Sequence, residues 1–183
     1  MSEHAALPPS PWVRRWSHLV PPGASVLDVA CGSGRHVRWF AQRGARVVAL
    51  DRDAGAVAPL RHIAEVVVAD IEAGPWPLPG RRFDAVVVTN YLWRALLPAV
   101  VDAVADGGLL LYETFAAGNE AHGRPSNPDF LLRPGELLAA AGGLHVVAFE
   151  QGLLHGPDRI VQRVAAARVA PGTPGRFPLE PPG

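Results

Sequence analysis

The sequence predicts a doubly wound α/β domain, because apolar strands alternate with helical stretches and the last two strands read as an antiparallel hairpin. The most informative stretch is the run Val26 to His36. Val26, Leu27 and Val29 make a short apolar strand suited to burial on both faces. Gly32 and Gly34 follow, where a tight turn or a close ligand leaves no room for a Cβ. Val37, Phe40 and Ala41 then recur at the spacing of one helix face. Strand, glycine turn and helix in immediate succession bring backbone N–H groups and the positive end of a helix to one spot.

At 183 residues the chain is long enough for one domain with a sizeable core, and an apolar fraction of 49% marks it as globular rather than disordered. Its 17 basic and 17 acidic residues cancel, so the overall charge does not support nucleic acid as a partner. Every basic residue is arginine, which excludes lysine Schiff-base chemistry and a lysine base. The single cysteine, Cys31, has no internal disulfide partner and reads as a small filler residue in a reducing compartment. No apolar run reaches the length of a membrane span and no signal-peptide core is evident, so a soluble, cytoplasmic protein is expected. The isolated histidines His4, His62 and His145 show no ligand grouping, and no metal site is expected.

Residues 1–9 read as a flexible arm, 10–169 as a single domain, and 170–183 as a proline- and glycine-rich tail expected to be disordered. Ser10-Pro11 is an N-cap followed by proline in the first helical turn. Trp12, Trp16 and Leu19 recur at helical spacing, on a helix that packs on the sheet or covers a ligand. Gly44 ends the next helix, and residues 45–50 form a second buried strand ending in Asp51. A carboxylate there offers two acceptor oxygens to the two adjacent hydroxyls of a ribose. Arg52 follows, and Asp53 caps a short helix toward Leu60.

A third strand, Glu65 to Ala69, ends in Asp70-Ile71. That pair suits an adenine amino group and ring face, unless Asp70 caps the next turn. The fourth strand, Arg82 to Thr89, delivers Asn90 and Tyr91 to the edge where such sheets bind ligands. Asn90 either touches the ligand or ties down the turn. Pro98 begins a helix to Ala105, closed by Asp106-Gly107-Gly108, and Leu109 to Phe115 is the fifth strand. The irregular stretch 116–132 is too long for a plain connector and reads as a docked lid beside the ligand edge. A helix from Arg133 to Gly142 and a hairpin of His145–Gln151 with Arg159–Val169 complete the domain.

The run from Asp28 to Gly34 resembles motif I of the class I S-adenosylmethionine-dependent methyltransferases, an acidic residue followed by glycines alternating with small residues. Ala30 stands where the first glycine of that motif usually does. A dinucleotide fingerprint fits less well, because its third glycine would fall at Val37. The resemblance covers residues 10–169 and implies a Rossmann-like, seven-stranded, mostly parallel sheet with the last strand antiparallel. In size and form the chain is similar to the small tellurite-resistance and thiopurine-type enzymes.

The resemblance also implies S-adenosylmethionine as cofactor, contacted by Asp28, Ala30, Gly32, Ser33 and Gly34. Further contacts are expected from Asp51 and Arg52, and from Asp70, Ile71 and Asn90. The acceptor is expected to be a small molecule. Alternatives are a methylase of nucleic acid or protein that works with a partner, or a binding-only protein on the same fold. Glu113, His122 and Tyr91 are the candidates for a general base at the pocket mouth. Arg124 is the candidate for holding an anionic substrate. The oligomeric state is left open.

Overall fold

A computed structural model of the chain describes residues 7–181, so most of the predicted arm and the last two residues of the tail lie outside the described residues. Seven strands form one sheet: β1 (Ser25–Val29), β2 (Arg46–Asp51), β3 (Glu65–Val68), β4 (Phe83–Thr89), β5 (Val104–Phe115), β6 (His145–Leu154) and β7 (Arg159–Ala167). Their order is β3-β2-β1-β4-β5-β7-β6. The first five run parallel, and β7 pairs antiparallel with both β5 and β6. The chain builds outward from β1 to β3, then returns to build the other way from β4. That reversal leaves a crevice at the carboxyl ends of β1 and β4, where doubly wound sheets take their ligands.

Alternation along the central strands sends side chains to two core layers. Leu27, Val29, Val86 and Val88 enter one, while Val26, Ala85 and Val87 enter the other. The helices are α1 (Pro11–Trp16), α2 (Arg35–Gln42), α3 (Ala54–Val57), α4 (Leu97–Asp102) and α5 (Glu136–Ala140). Trp12, Trp16 and Phe40, each almost fully buried, place α1 and α2 on the second layer. The tryptophans are therefore core residues, not a cover over a ligand.

Three element boundaries differ from expectation. α4 ends at Asp102, one 3-10 turn precedes it at Arg94–Leu96, and β5 begins at Val104. The Asp106-Gly107-Gly108 turn sits inside β5, because the register with β4 jumps from Phe83↔Val104 to Ala85↔Leu109. The extra residues bulge out and let the strand resume pairing. The hairpin is longer than its alternating pattern, with β6 continuing to Leu154. Over its described residues the tail carries no helix or strand, and its Phe177 packs against the second core layer.

A chain of polar contacts fastens α1 to the sheet. The Ser10 Oγ accepts from the backbone N–H of Trp12 at 3.1 Å and donates to Glu113 Oε1 at 2.8 Å, while the Ser10 backbone N–H donates to His36 Nε2 at 3.0 Å. Arg163, opposite Glu113 in the β5–β7 register, reaches Glu113 Oε2 at 3.4 Å and also pairs with Glu150. Its guanidinium lies 4.8 Å from the centre of the Trp12 ring.

Candidate functional site

Two cavities open at the carboxyl edge of the sheet. The first, about 220 Å³, is lined by Ala30 after β1, Asp51 and Arg52 after β2, Ala69 to Glu72 after β3, and Tyr91 after β4. Asp51 accepts from the Gly32 N–H at 2.7 Å and from the Asp53 N–H at 2.9 Å, one on each oxygen. An ionised carboxylate has about four acceptor positions, so each oxygen keeps a lone pair for a ligand. Asp70 caps the turn after β3, accepting on one oxygen from Glu72 at 3.0 Å and Ala73 at 3.2 Å. Asp70 therefore caps the turn, as one of its two readings expects, and also lines the cavity.

The glycine turn divides its work. A Cβ on Gly32, at φ +54°, would enter open space, whereas a Cβ on Gly34, at φ +79°, would meet Leu60 Cδ1 at 2.5 Å. Gly32 therefore leaves the ligand side open and Gly34 packs the turn onto Leu60. Ala30 adopts φ +52°, the left-handed region that the glycine of the motif would occupy without strain. Asp28 is buried in β1 and lines neither cavity; one carboxyl oxygen has no protein partner. Burial pushes its pKa up to about 8, against the opposing pull of Arg35. The Tyr91 hydroxyl is likewise without a protein partner, and burial, then the carboxylates of Glu72 and Asp70, raise its pKa.

The second cavity, about 460 Å³, lies on the other side of the β4 end. The segment before α1, Asn90, Glu113, Phe115 and the hairpin turn at Gly156-Pro157 form its walls, with Arg14, Arg35 and Arg159 among them. Asn90, at φ +55°, donates its backbone N–H to the Glu113 carbonyl at 2.9 Å, so it ties down the turn as well as lining this cavity. Asn90 and Tyr91, consecutive in sequence, thus face different cavities.

A family model described as a methyltransferase domain matches residues 26–108. The chain is 36% identical over 107 residues to the malonyl-(acyl-carrier protein) O-methyltransferase of Serratia marcescens, covering 54% of this chain and 41% of that one. It is 31% identical over 168 residues to a probable S-adenosylmethionine-dependent methyltransferase of Mycobacterium tuberculosis, covering 80% of this chain and 60% of that one. Over residues 26–108 the chain matches a methyltransferase domain, and it is similar to S-adenosylmethionine-dependent methyltransferases. It spans between 41% and 60% of the length of these curated relatives. Among solved structures, TehB from Haemophilus influenzae shares the fold at a TM-score of 0.69 and 20% identity, covering 85% of this chain and 61% of that one. The S-adenosylmethionine-dependent methyltransferase of Mesorhizobium loti shares it at 0.67 and 19%, covering 85% and 96%.

The cofactor of this family is S-adenosylmethionine, and the first cavity fits its nucleoside end. Asp51 keeps acceptors for the ribose, Ile71 offers an aliphatic face, and the space above Gly32 is open. Arg52 lines the same cavity, while Ser33 is exposed and accepts from Arg38 through its carbonyl. The base candidates are less concentrated. Glu113 lines the second cavity, but it is 2% exposed and both its oxygens are engaged. His122 and Arg124 are exposed and line neither cavity.

The stretch 116–132 is docked by its own buried Leu131 and Leu132 and by Asn119, which accepts from the Ile160 N–H at 3.1 Å, and also by a residue outside it. Arg94 donates to the carbonyls of Asp129 and Leu131 at 2.6 and 2.8 Å, and its guanidinium pairs with Glu136 at 2.6 Å. Sequence reading missed Arg35 and Arg159. For Arg35 a signal was present: a cation in the first turn of α2, where an acid complements the helix dipole better.

Proposed function

We propose that this chain transfers the methyl group of S-adenosylmethionine to a small-molecule acceptor held in the second cavity. The observation that carries the reading is the shared wall at Asn90-Tyr91, which sets a nucleoside-sized cleft beside a separate cavity at the sheet's switch point. The cofactor supplies a methyl carbon already activated by the adjoining sulfonium. The chain's residues are then required to bind, orient and exclude water. Orientation of that kind is worth about 7–11 kcal/mol in well-aligned reactions. Asp51 and Asp70 hold the nucleoside end, and Asn90 with the α1 segment walls the acceptor side. A compact acceptor group agrees with one relative being named for O-methylation of malonyl-(acyl-carrier protein).

Calorimetry with S-adenosylmethionine tests the reading. Asp51→Ala removes acceptors for charged hydrogen bonds worth about 1.5–3 kcal/mol, so binding should weaken by roughly 10- to 150-fold. Unchanged affinity in a folded Asp51→Ala protein would overturn the site.

A further inference from the structure

We infer that the acceptor is a carboxylic acid, bound as its carboxylate by Arg35 and Arg159 and methylated on oxygen without removal of a proton. The inference rests on the proposed function and concerns the second cavity alone. Three arginines, Arg14, Arg35 and Arg159, line that cavity with a single carboxylate, Glu113, and the Arg14 guanidinium lies 5.7 Å from the Trp39 ring, leaving Arg35 and Arg159 for a ligand. Glu113 is shared with Ser10 and Arg163, so one carboxylate already held elsewhere faces the arginines.

Five arginines form ion pairs among the described residues: Arg15 with Glu150, Arg81 with Glu65, Arg82 with Asp106, Arg94 with Glu136, and Arg163 with Glu113 and Glu150. Arg35 has only a weak contact to Thr89 Oγ1 at 3.4 Å, and Arg159 has no carboxylate within ion-pair distance among the described residues. The two are close enough to feel each other. Burial lowers the Arg35 pKa, Glu113 and Asp28 raise it, and the charge of Arg159 lowers it again. Arg35 also stands at the positive end of α2. Like charges gathered in a partly closed cavity want an anion, and a planar fork of guanidinium donors matches a carboxylate.

The second half of the inference concerns the proton. No histidine, tyrosine or cysteine lines the cavity among the described residues. His36 lies beneath it, buried and bonded to the Ser10 backbone. A phenol or an ammonium acceptor would need a free base, and the cavity's one carboxylate, Glu113, is held by Ser10 and Arg163. A carboxylate arrives ionised. Its oxygen forms a bond to the methyl carbon, the carbon–sulfur bond breaks, and sulfur keeps the pair. The products are a methyl ester and S-adenosylhomocysteine, and no proton moves.

The experiment uses S-adenosylmethionine with a tritiated methyl group and a panel of carboxylic acids of increasing length. Each acid is paired with its primary amide, and thiols, amines and phenols run alongside. Label should pass to acids and not to amides, and mild alkali should release it as volatile methanol. Arg35→Gln and Arg159→Gln should each raise the KM for the acid at least tenfold. Arg159→Gln should leave S-adenosylhomocysteine affinity within twofold by calorimetry. Acid binding is read independently as a rise in Tm of the S-adenosylhomocysteine complex, present in the wild type and lost in Arg159→Gln. Alkali-stable label, label on amines, thiols or phenols only, or no Tm response to any acid would each overturn the inference while cofactor binding stands. Weaker S-adenosylhomocysteine binding in Arg159→Gln with acid KM unchanged would also overturn it, assigning the arginines to the cofactor's own carboxylate. Failure of the functional reading shows separately, as absent S-adenosylmethionine binding.

Discussion

The two cavities are built on different principles. The first, which we propose as the cofactor cleft beside a proposed acceptor cavity, takes one short contribution from the end of each strand β1 to β4, placed by parallel register and by backbone turns at Ala30, Gly32 and Asp51. The acceptor cavity is assembled from side chains far apart in the chain: Ser10 to Glu113, 103 residues away, and Glu113 to Arg163, 50 away. A site built on strand ends is fixed once the sheet forms. A site built on ion pairs and one short helix depends on whether that helix stays docked.

The strongest way to separate the two is to loosen α1. Trp12 is 1% exposed, donates its indole N–H to the Val164 carbonyl at 3.2 Å, and meets Trp16 edge-on at 5.7 Å. Trp12→Ala should cost about 3–5 kcal/mol of stability, read by denaturant unfolding. Below that transition, turnover should fall at least tenfold while S-adenosylmethionine affinity stays within threefold. Equal loss of both would show that the halves are one unit.

Acid is a milder probe of the same attachment. His36 must be neutral at Nε2 to accept from Ser10, and burial, then Arg35, hold its pKa down to about 3 from the ordinary 6.5. The unfolded chain takes up the proton first, so this contribution is intact above pH 6.5 and drains away as pH falls toward 3. Asp28 acts in the opposite direction: raised from 3.8 to about 8, its contribution is intact below 3.8 and is lost as pH rises toward 8. The His36→Gln variant isolates the histidine. The stability gap between wild type and variant should shrink by about 2 kcal/mol between pH 7 and pH 5. A gap independent of pH would mean that His36 does not titrate on unfolding.

The smallest effect belongs to the cofactor side. Ala30 carries left-handed strain of about 1 kcal/mol that glycine would not. Ala30→Gly should raise stability by about 0.5–1 kcal/mol, after the entropy glycine loses on folding, and leave cofactor affinity within threefold. A destabilised Ala30→Gly would show that the methyl group contributes packing to the cleft.

The same division explains what the sequence made legible. Asp51, Asp70 and the glycine turn stand at strand ends, and strand ends follow from runs such as Arg46 to Leu50, which mark themselves by apolarity. The opposed pair Glu113↔Arg163 depends on the β5–β7 register, which no local pattern sets, so Glu113 read as a free base. His122 and Arg124 attracted attention as polar groups in a long loop. Part of what holds that loop is Arg94, some distance upstream, gripping carbonyls whose identity leaves no trace in side-chain chemistry. The β5 bulge was hidden for a related reason: Asp106-Gly107-Gly108 has the composition of a helix stop whether or not the strand has already begun.

The order in which the walls occur along the chain has a consequence for synthesis. Every residue lining the cofactor cleft falls between Ala30 and Tyr91. The acceptor cavity is closed only when Arg159 and the Gly156-Pro157 turn meet the segment around Ser10. A ribosome delivers the first set long before the second, and the closing contacts have high sequence separation, which makes them slow to find. The walls of the proposed cofactor cleft therefore leave the ribosome well before those of the proposed acceptor cavity are complete, and β7 brings the last of them.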